Sequence, residues 1–124
     1  MDEGKKNDTE KARMDLISPP AMFALARILG FGSKRYGDRN WELGIKYGRV
    51  MAALQRHLLA WWGGEDLDPE TGENHLHHVL CNAMFLSHFV SHPEKYGEFD
   101  DRPNNPEKED LNATFCNGCG QPIC

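Results

Sequence analysis

The sequence predicts an all-α fold, a compact domain of three main helices followed by an irregular C-terminal tail. Three observations carry this. Apolar residues recur at helical spacing in three stretches, each stretch is bounded by helix-start and helix-stop residues, and none alternates as a half-buried strand would. Ser18-Pro19-Pro20 opens the first helix, with serine as cap and proline in the first turn, ahead of the helix-forming run AMFALARIL. That helix covers about residues 19–29 and can continue past Gly30 and Gly32 toward Tyr36 with a weakened middle. Residues 37–46 are rich in turn formers and read as a loop. The second helix spans about 47–62 and ends at Gly63-Gly64. A loop follows at 65–74, with a turn opened by Asp68-Pro69. The third helix runs from the cap Asn74 to Val90 or Ser91, where Pro93 stops it.

The helical stripes can be counted. On the second helix Val50, Leu54, His57 and Trp61 share one face. On the third, His75, His78, Asn82, Phe85 and Phe89 form a stripe that is polar first and aromatic later. Beside it Leu76, Val79, Leu80, Ala83 and Leu86 are apolar throughout, which predicts burial on a wide face. Polar groups on a buried face cost about 1–3 kcal/mol each unless satisfied, so they call for a metal, a ligand or partner side chains.

The 124 residues suffice for one domain. Residues 1–10 are polar and read as a disordered N-terminus, 11–97 as the helical domain, and 98–124 as a linker with a Cys-rich tail. The net charge of −5 argues against a nucleic-acid polymer as partner. No apolar run approaches a membrane span and no secretory leader is evident, which predicts a cytoplasmic protein.

Charge is partitioned along the chain. From Lys11 to Arg56 there are nine Lys/Arg against three Asp/Glu; from His57 to Glu94 there are six Asp/Glu, all six histidines and no Lys or Arg. A basic half facing an acidic, His-rich half suits a polyanion that carries a divalent metal. The window GEDLDPETGENHLHH supplies Glu65, Asp66, Asp68, Glu70 and Glu73, then His75, His77 and His78. Such carboxylates bind hard divalent cations through oxygen, and imidazole shifts the preference toward manganese or zinc. Neither an EF-hand nor an H-E-x-x-H pattern is present. On the basic side stand Lys11, Arg13, Lys34, Arg35 and Arg39, with Arg49 and Arg56 on one side of the second helix. Trp41 and Tyr36 can stack on a base or seal the core. No phosphate-binding glycine loop or nucleophile elbow occurs, and Cys81 reads as packing. In the tail, Cys116, Cys119 and Cys124 offer a C-x-x-C and a third thiolate to a possible Zn²⁺.

KARMDLISPPAMFALARILGFGSKRYGDRNWELG, followed by RHLLAWWGGEDLDPETGENHLHHVLCNAMFL, resembles the phage dATP/dGTP diphosphohydrolase family, MazG-like (MazZ-type) proteins of the all-α NTP pyrophosphatase group. The resemblance covers about residues 11–91. It implies a helical fold assembled as dimers or tetramers. It also implies Mg²⁺- or Mn²⁺-dependent cleavage of a deoxypurine nucleoside triphosphate (dGTP, dATP) to monophosphate and pyrophosphate, shaping a phage nucleotide pool in the host cytoplasm. The wider MazG pattern places E-x-x-E and E-x-x-D on consecutive helices as metal ligands, but here the second and third helices hold no Asp or Glu. The ligands expected instead are Glu65, Asp68, His78 and Asn82. Asp66 or His57 orients the water, with Glu65 beside them in the catalytic set. Lys11, Arg13, Lys34 and Arg39 serve the triphosphate, while Asp15 contacts the base or caps the first helix, and Trp41 lies near the base. The alternative is a non-catalytic helical module that binds metal or nucleotide and regulates a partner.

Overall fold

The computed structural model describes residues 3–104. Its elements are four helices: α1 (Pro19–Tyr36), α2 (Tyr47–Trp62), α3 (His75–Val90) and the single turn α4 (Pro93–Tyr96), with short 3₁₀ turns at Met14–Leu16, Asn40–Leu43 and Gly97–Phe99. Among the described residues β structure is limited to one isolated bridge, Leu67 to Asn74. The all-α expectation therefore holds.

The local signals act as their chemistry requires. The Ser18 hydroxyl accepts from the Ala21 amide, and the Asn74 side chain accepts from the Leu76 amide at 2.8 Å. α1 runs through Gly30 and Gly32 as one helix to Gly37, whose amide closes on the Ser33 carbonyl at 2.8 Å. Pro93 does more than end α3. It opens α4, a site where its missing amide hydrogen costs nothing.

α2 and α3 run antiparallel along a common seam, and α1 packs across α3. The core sits where the start of α2 meets the end of α3. Tyr47, Val50, Phe89 and Tyr96 are buried there, with Trp41, Ile45, Phe85, Leu86 and Phe99 packed around them. Trp41 stacks on Phe85 at 4.9 Å between ring centres, and Tyr47 on Phe89 at 5.9 Å. The Tyr96 hydroxyl donates to the Glu42 carbonyl at 2.7 Å, so its burial leaves no polar group unmet.

Two expectations are corrected. The apolar stripe of α3 is not buried throughout. Leu76, Leu80 and Ala83 are exposed, because α1 and α2 cover only the His75–Phe89 side. The acidic residues just after Glu98 are not a free linker. Phe99 packs on the core, Asp100 is buried and paired with Arg102, and Asp101 accepts from the Gly48 amide at 2.8 Å at the start of α2. A carboxylate there meets free amide hydrogens and the positive helix end. The tail cysteines Cys116, Cys119 and Cys124 lie outside the described residues.

Gly44 holds φ at +105°, and a side chain on it would collide with the Phe99 ring. Gly44→Ala is therefore expected to destabilise the fold by about 2 kcal/mol or more. Urea unfolding checks this, and a midpoint equal to wild type refutes the packing described.

Candidate functional site

At the far end of the same seam, α2 and α3 bring histidines together. His57 lies two turns along α2 from Val50, and His75 and His78 occupy the first turn of α3. The His57 and His78 rings lie face to face, 4.3 Å apart and within 6° of parallel. The loop between the helices folds back to meet them. Gly64, at φ +104°, turns the chain after α2, and the Asp68 amide and carbonyl bond to Glu73 and Gly72. The Asp68 carboxylate accepts the amides of Glu70 at 2.8 Å and Thr71 at 2.9 Å, an Asx turn that aims its other oxygen toward His57 Nδ1, 3.7 Å away.

Donor atoms of His57, Asp68 and His78 all lie within 4.8 Å of one another, a group that can hold a metal ion. Its electrostatics suit a cation. Burial pushes the His57 imidazole below its usual 6.5, and the neighbouring histidines add to this against the pull of Asp68. Burial does the same to His78, again opposed by Asp68. Both rings therefore offer lone pairs at neutral pH. Burial of Asp68 opposes ionisation, yet the Thr71 and Glu70 amides outweigh it and hold the carboxyl below its usual range. Two neutral imidazoles and one carboxylate fit a divalent cation of the manganese–zinc type.

The triad forms one end of a cleft of about 790 Å³ between α1 and the α2–α3 pair. Small-molecule sites run from roughly 300 to 1,000 Å³. Arg35, Arg49 and Arg56 line it, as do Trp41, Asn82 and Cys81. Burial pushes the Cys81 thiol up to about 12, which keeps it protonated.

The sequence-derived candidates divide as follows. Asp68, His78 and His57 converge. Asn82 lines the cleft, with its amide donating to the His78 carbonyl at 2.9 Å. Glu65 lies outside the triad and binds His75 Nε2 at 2.6 Å. Asp66 serves through its carbonyl, which accepts the His75 amide at 2.9 Å. Trp41 seals the core against Phe85 and also lines the cleft. Lys11, Arg13, Asp15, Lys34 and Arg39 do not line the cleft. Arg13 pairs with Asp15 at 2.8 Å, and Arg39 with Glu42 at 2.9 Å. Ser18, not Asp15, caps α1. His75 and Thr71 were missed as partners of the site. Thr71 Oγ1 lies 2.7 Å from His78 Nε2. The polar stripe His75–His78–Asn82 held the signal for His75, whereas nothing local marks Thr71.

The comparisons with known proteins bear on this site. The family described as dATP/dGTP diphosphohydrolase, N-terminal, matches residues 1–102. The chain belongs to this family. A dATP/dGTP diphosphohydrolase of Salmonella phage PMBT28 is 39% identical over 83 residues, which are 67% of this chain and 28% of that relative. The chain thus spans well under a third of the relative's length. No solved structure matches it. No helix among the described residues is long and apolar enough to cross a membrane.

α1 is tied to the site loop by two ion pairs, Arg27 to Glu73 at 2.6 Å and Arg35 to Glu70 at 2.7 Å. Hydrogen bonds from Arg27, and then from His77, hold the Glu73 carboxyl down to about 2 from its usual 4.5. The fold favours the ionised form, so this contribution is complete above 4.5 and is lost as pH falls toward 2. Glu73→Gln is expected to lower Tm at pH 7 and by progressively less below pH 4.5, with no difference near pH 2. Thermal melts across that range check it, and a deficit independent of pH contradicts the pairing.

Proposed function

We propose that the chain is the catalytic helical domain of a nucleoside triphosphate diphosphohydrolase of MazG-like type. It cleaves dGTP and dATP to the monophosphate and pyrophosphate, with Mg²⁺ or Mn²⁺ as cofactor. The observation that carries the reading is one cleft holding a metal-competent triad at one end and three arginines along its wall. The name of the phage relative and the family supply the substrate class.

His57, Asp68 and His78 would hold the cation, whose chemistry there would be to polarise the phosphate chain and lower the pKa of a water. Arg35, Arg49 and Arg56 neutralise the triphosphate, replacing the Lys11, Arg13, Lys34 and Arg39 set, because only the former line the cleft. The water oxygen bonds to the α-phosphorus and gives up its proton to solvent as the bond to the bridging oxygen breaks, and pyrophosphate leaves along the arginine-lined wall. Trp41 and Asn82 line the same cleft and would take the base. In a phage-infected cell this reaction would act in the host cytoplasm and lower the purine deoxynucleotide pool.

Association of copies completes the fold in this reading. Trp62 is 79% exposed, and Met51, Leu58, Leu76 and Leu80 are also exposed on α2 and α3. Apolar surface on this scale favours a dimer or tetramer. Light scattering at micromolar concentration is expected to give at least twice the chain mass, and a folded monomer contradicts it.

Incubation with dGTP or dATP and Mn²⁺, followed by chromatography, is expected to yield the monophosphate and pyrophosphate. Orthophosphate or triphosphate as product overturns the reaction type, and no product with retained nucleotide binding favours the regulatory-module alternative. Asp68→Asn keeps the Asx acceptor but loses the charge. It is expected to retain the fold, abolish the Mn²⁺-induced rise in Tm, and cut turnover by about 100-fold or more.

A further inference from the structure

α1 turns one face inward. Ala24, Ile28, Gly32 and Arg35 follow one another at steps of four, four and three residues, so they share that face. Ala24 and Ile28 are buried, and Ile28 also lines the cleft. Arg35 is held by Glu70 at 2.7 Å. Gly32 stands between them, lines the cleft and has no side chain to put into it.

A glycine inside a helix costs stability relative to alanine, because it frees the unfolded chain and packs nothing. The usual structural reasons for one are missing here. Gly32 does not hold a positive φ. A Cβ placed on it would meet no atom within 4 Å among the described residues. So neither backbone conformation nor crowding among those residues calls for glycine. The space it leaves open belongs to the cleft, where a missing side chain permits close approach of a ligand to backbone. Gly30 gives the contrast: it is exposed, has equally open space around it and does not line the cleft.

We propose that Gly32 is a specificity position, which leaves the backbone of α1 bare so that the nucleobase of the substrate lies against it. This rests on reading the cleft as a nucleotide site. The neighbours decide which part of the nucleotide comes near. Ile28, Leu29 and Trp41 line the cleft with Gly32, and they are apolar or aromatic. The charged groups of the cleft are Arg35, Arg49 and Arg56 with the carboxylates of the loop that carries Asp68. The triphosphate belongs with the arginines and the triad, which leaves the apolar stretch for the flat, weakly polar base. A side chain at position 32 would stand in the space that the base fills.

The test uses the full chain with Mn²⁺ and two ligands that are read by calorimetry, dGMP and inorganic tripolyphosphate. Gly32→Ala is expected to weaken dGMP binding by about tenfold or more and Gly32→Leu by about 100-fold, while both bind tripolyphosphate as the wild type does. Gly32→Ala is expected to fold with Tm raised by about 4 °C. Gly30→Ala should show the same rise with dGMP affinity unchanged. Affinity that falls while stability rises marks a ligand contact, since a merely structural role would move both the same way. Wild-type dGMP affinity in both Gly32 variants overturns the proposal, and so does an equal loss for tripolyphosphate, which would put the phosphates at Gly32. Lost dGMP affinity accompanied by a fall in mass on light scattering also overturns it, because Gly32 is then a contact between copies. A wild type that binds tripolyphosphate but not dGMP overturns the base assignment alone, whereas one that binds neither overturns the reading of the cleft as a nucleotide site.

Discussion

The seam between α2 and α3 changes chemistry along its length, and the rest of the molecule is arranged around that change. At one end, rings of Tyr47, Phe85, Phe89 and Tyr96 interlock; at the other, His57, His75 and His78 meet. The aromatic end secures the register of the antiparallel pair, because sliding either helix by one turn would pull Val50 and Phe89 out of their contacts. That register is what sets the histidines opposite one another. Packing energy spent at one end therefore fixes donor geometry at the other, with a polar cluster that helix propensity alone would not assemble.

The remaining elements serve the polar end. The loop from Glu65 to Asn74 returns Asp68 to the histidines through an Asx turn and Gly72 at φ +74°. α1 is held over that loop by arginine–carboxylate pairs and by the buried Ala24 and Ile28. Exposed pairs contribute little to stability, but these two join segments separated by 46 and 35 residues. The Arg35–Glu70 pair lines the cleft. The basic and acidic halves of the chain thus face each other across a space, which keeps the arginines Arg49 and Arg56 on its wall without a carboxylate of the triad neutralising them.

Much of the site was legible as a supply of residue types. Asp68 and His78 stand in a dense acidic-histidine window, and His57 lies on the stripe with Val50. What could not be read was which carboxylate reaches the histidines. Glu65, Asp66 and Asp68 lie within four residues and look equivalent in sequence, yet one binds His75, one contributes a carbonyl and one joins the triad. The phosphate-side candidates failed for a related reason. Lys11, Lys34 and Arg39 are as basic as Arg35 and Arg56, and only the way the separate segments meet decides which of them line the cleft.

By itself the sequence determined the helices, their caps and their ends. Those depend on contacts three or four residues apart: the Ser18 hydroxyl to Ala21, the Asn74 side chain to Leu76, and the Gly63-Gly64 stop after Trp62. It also placed the aromatic and histidine halves of α3 on one face, because 3.6 residues per turn is a local property. Only the tertiary structure decided that Leu76 and Leu80 stay uncovered, that Trp41 both packs and lines the cleft, and that His75 links Glu65 to His57. Each of these depends on how separate segments meet. Such meetings are set by the packing of whole helix faces, and a run of neighbouring residues carries no information about which distant surface will cover it.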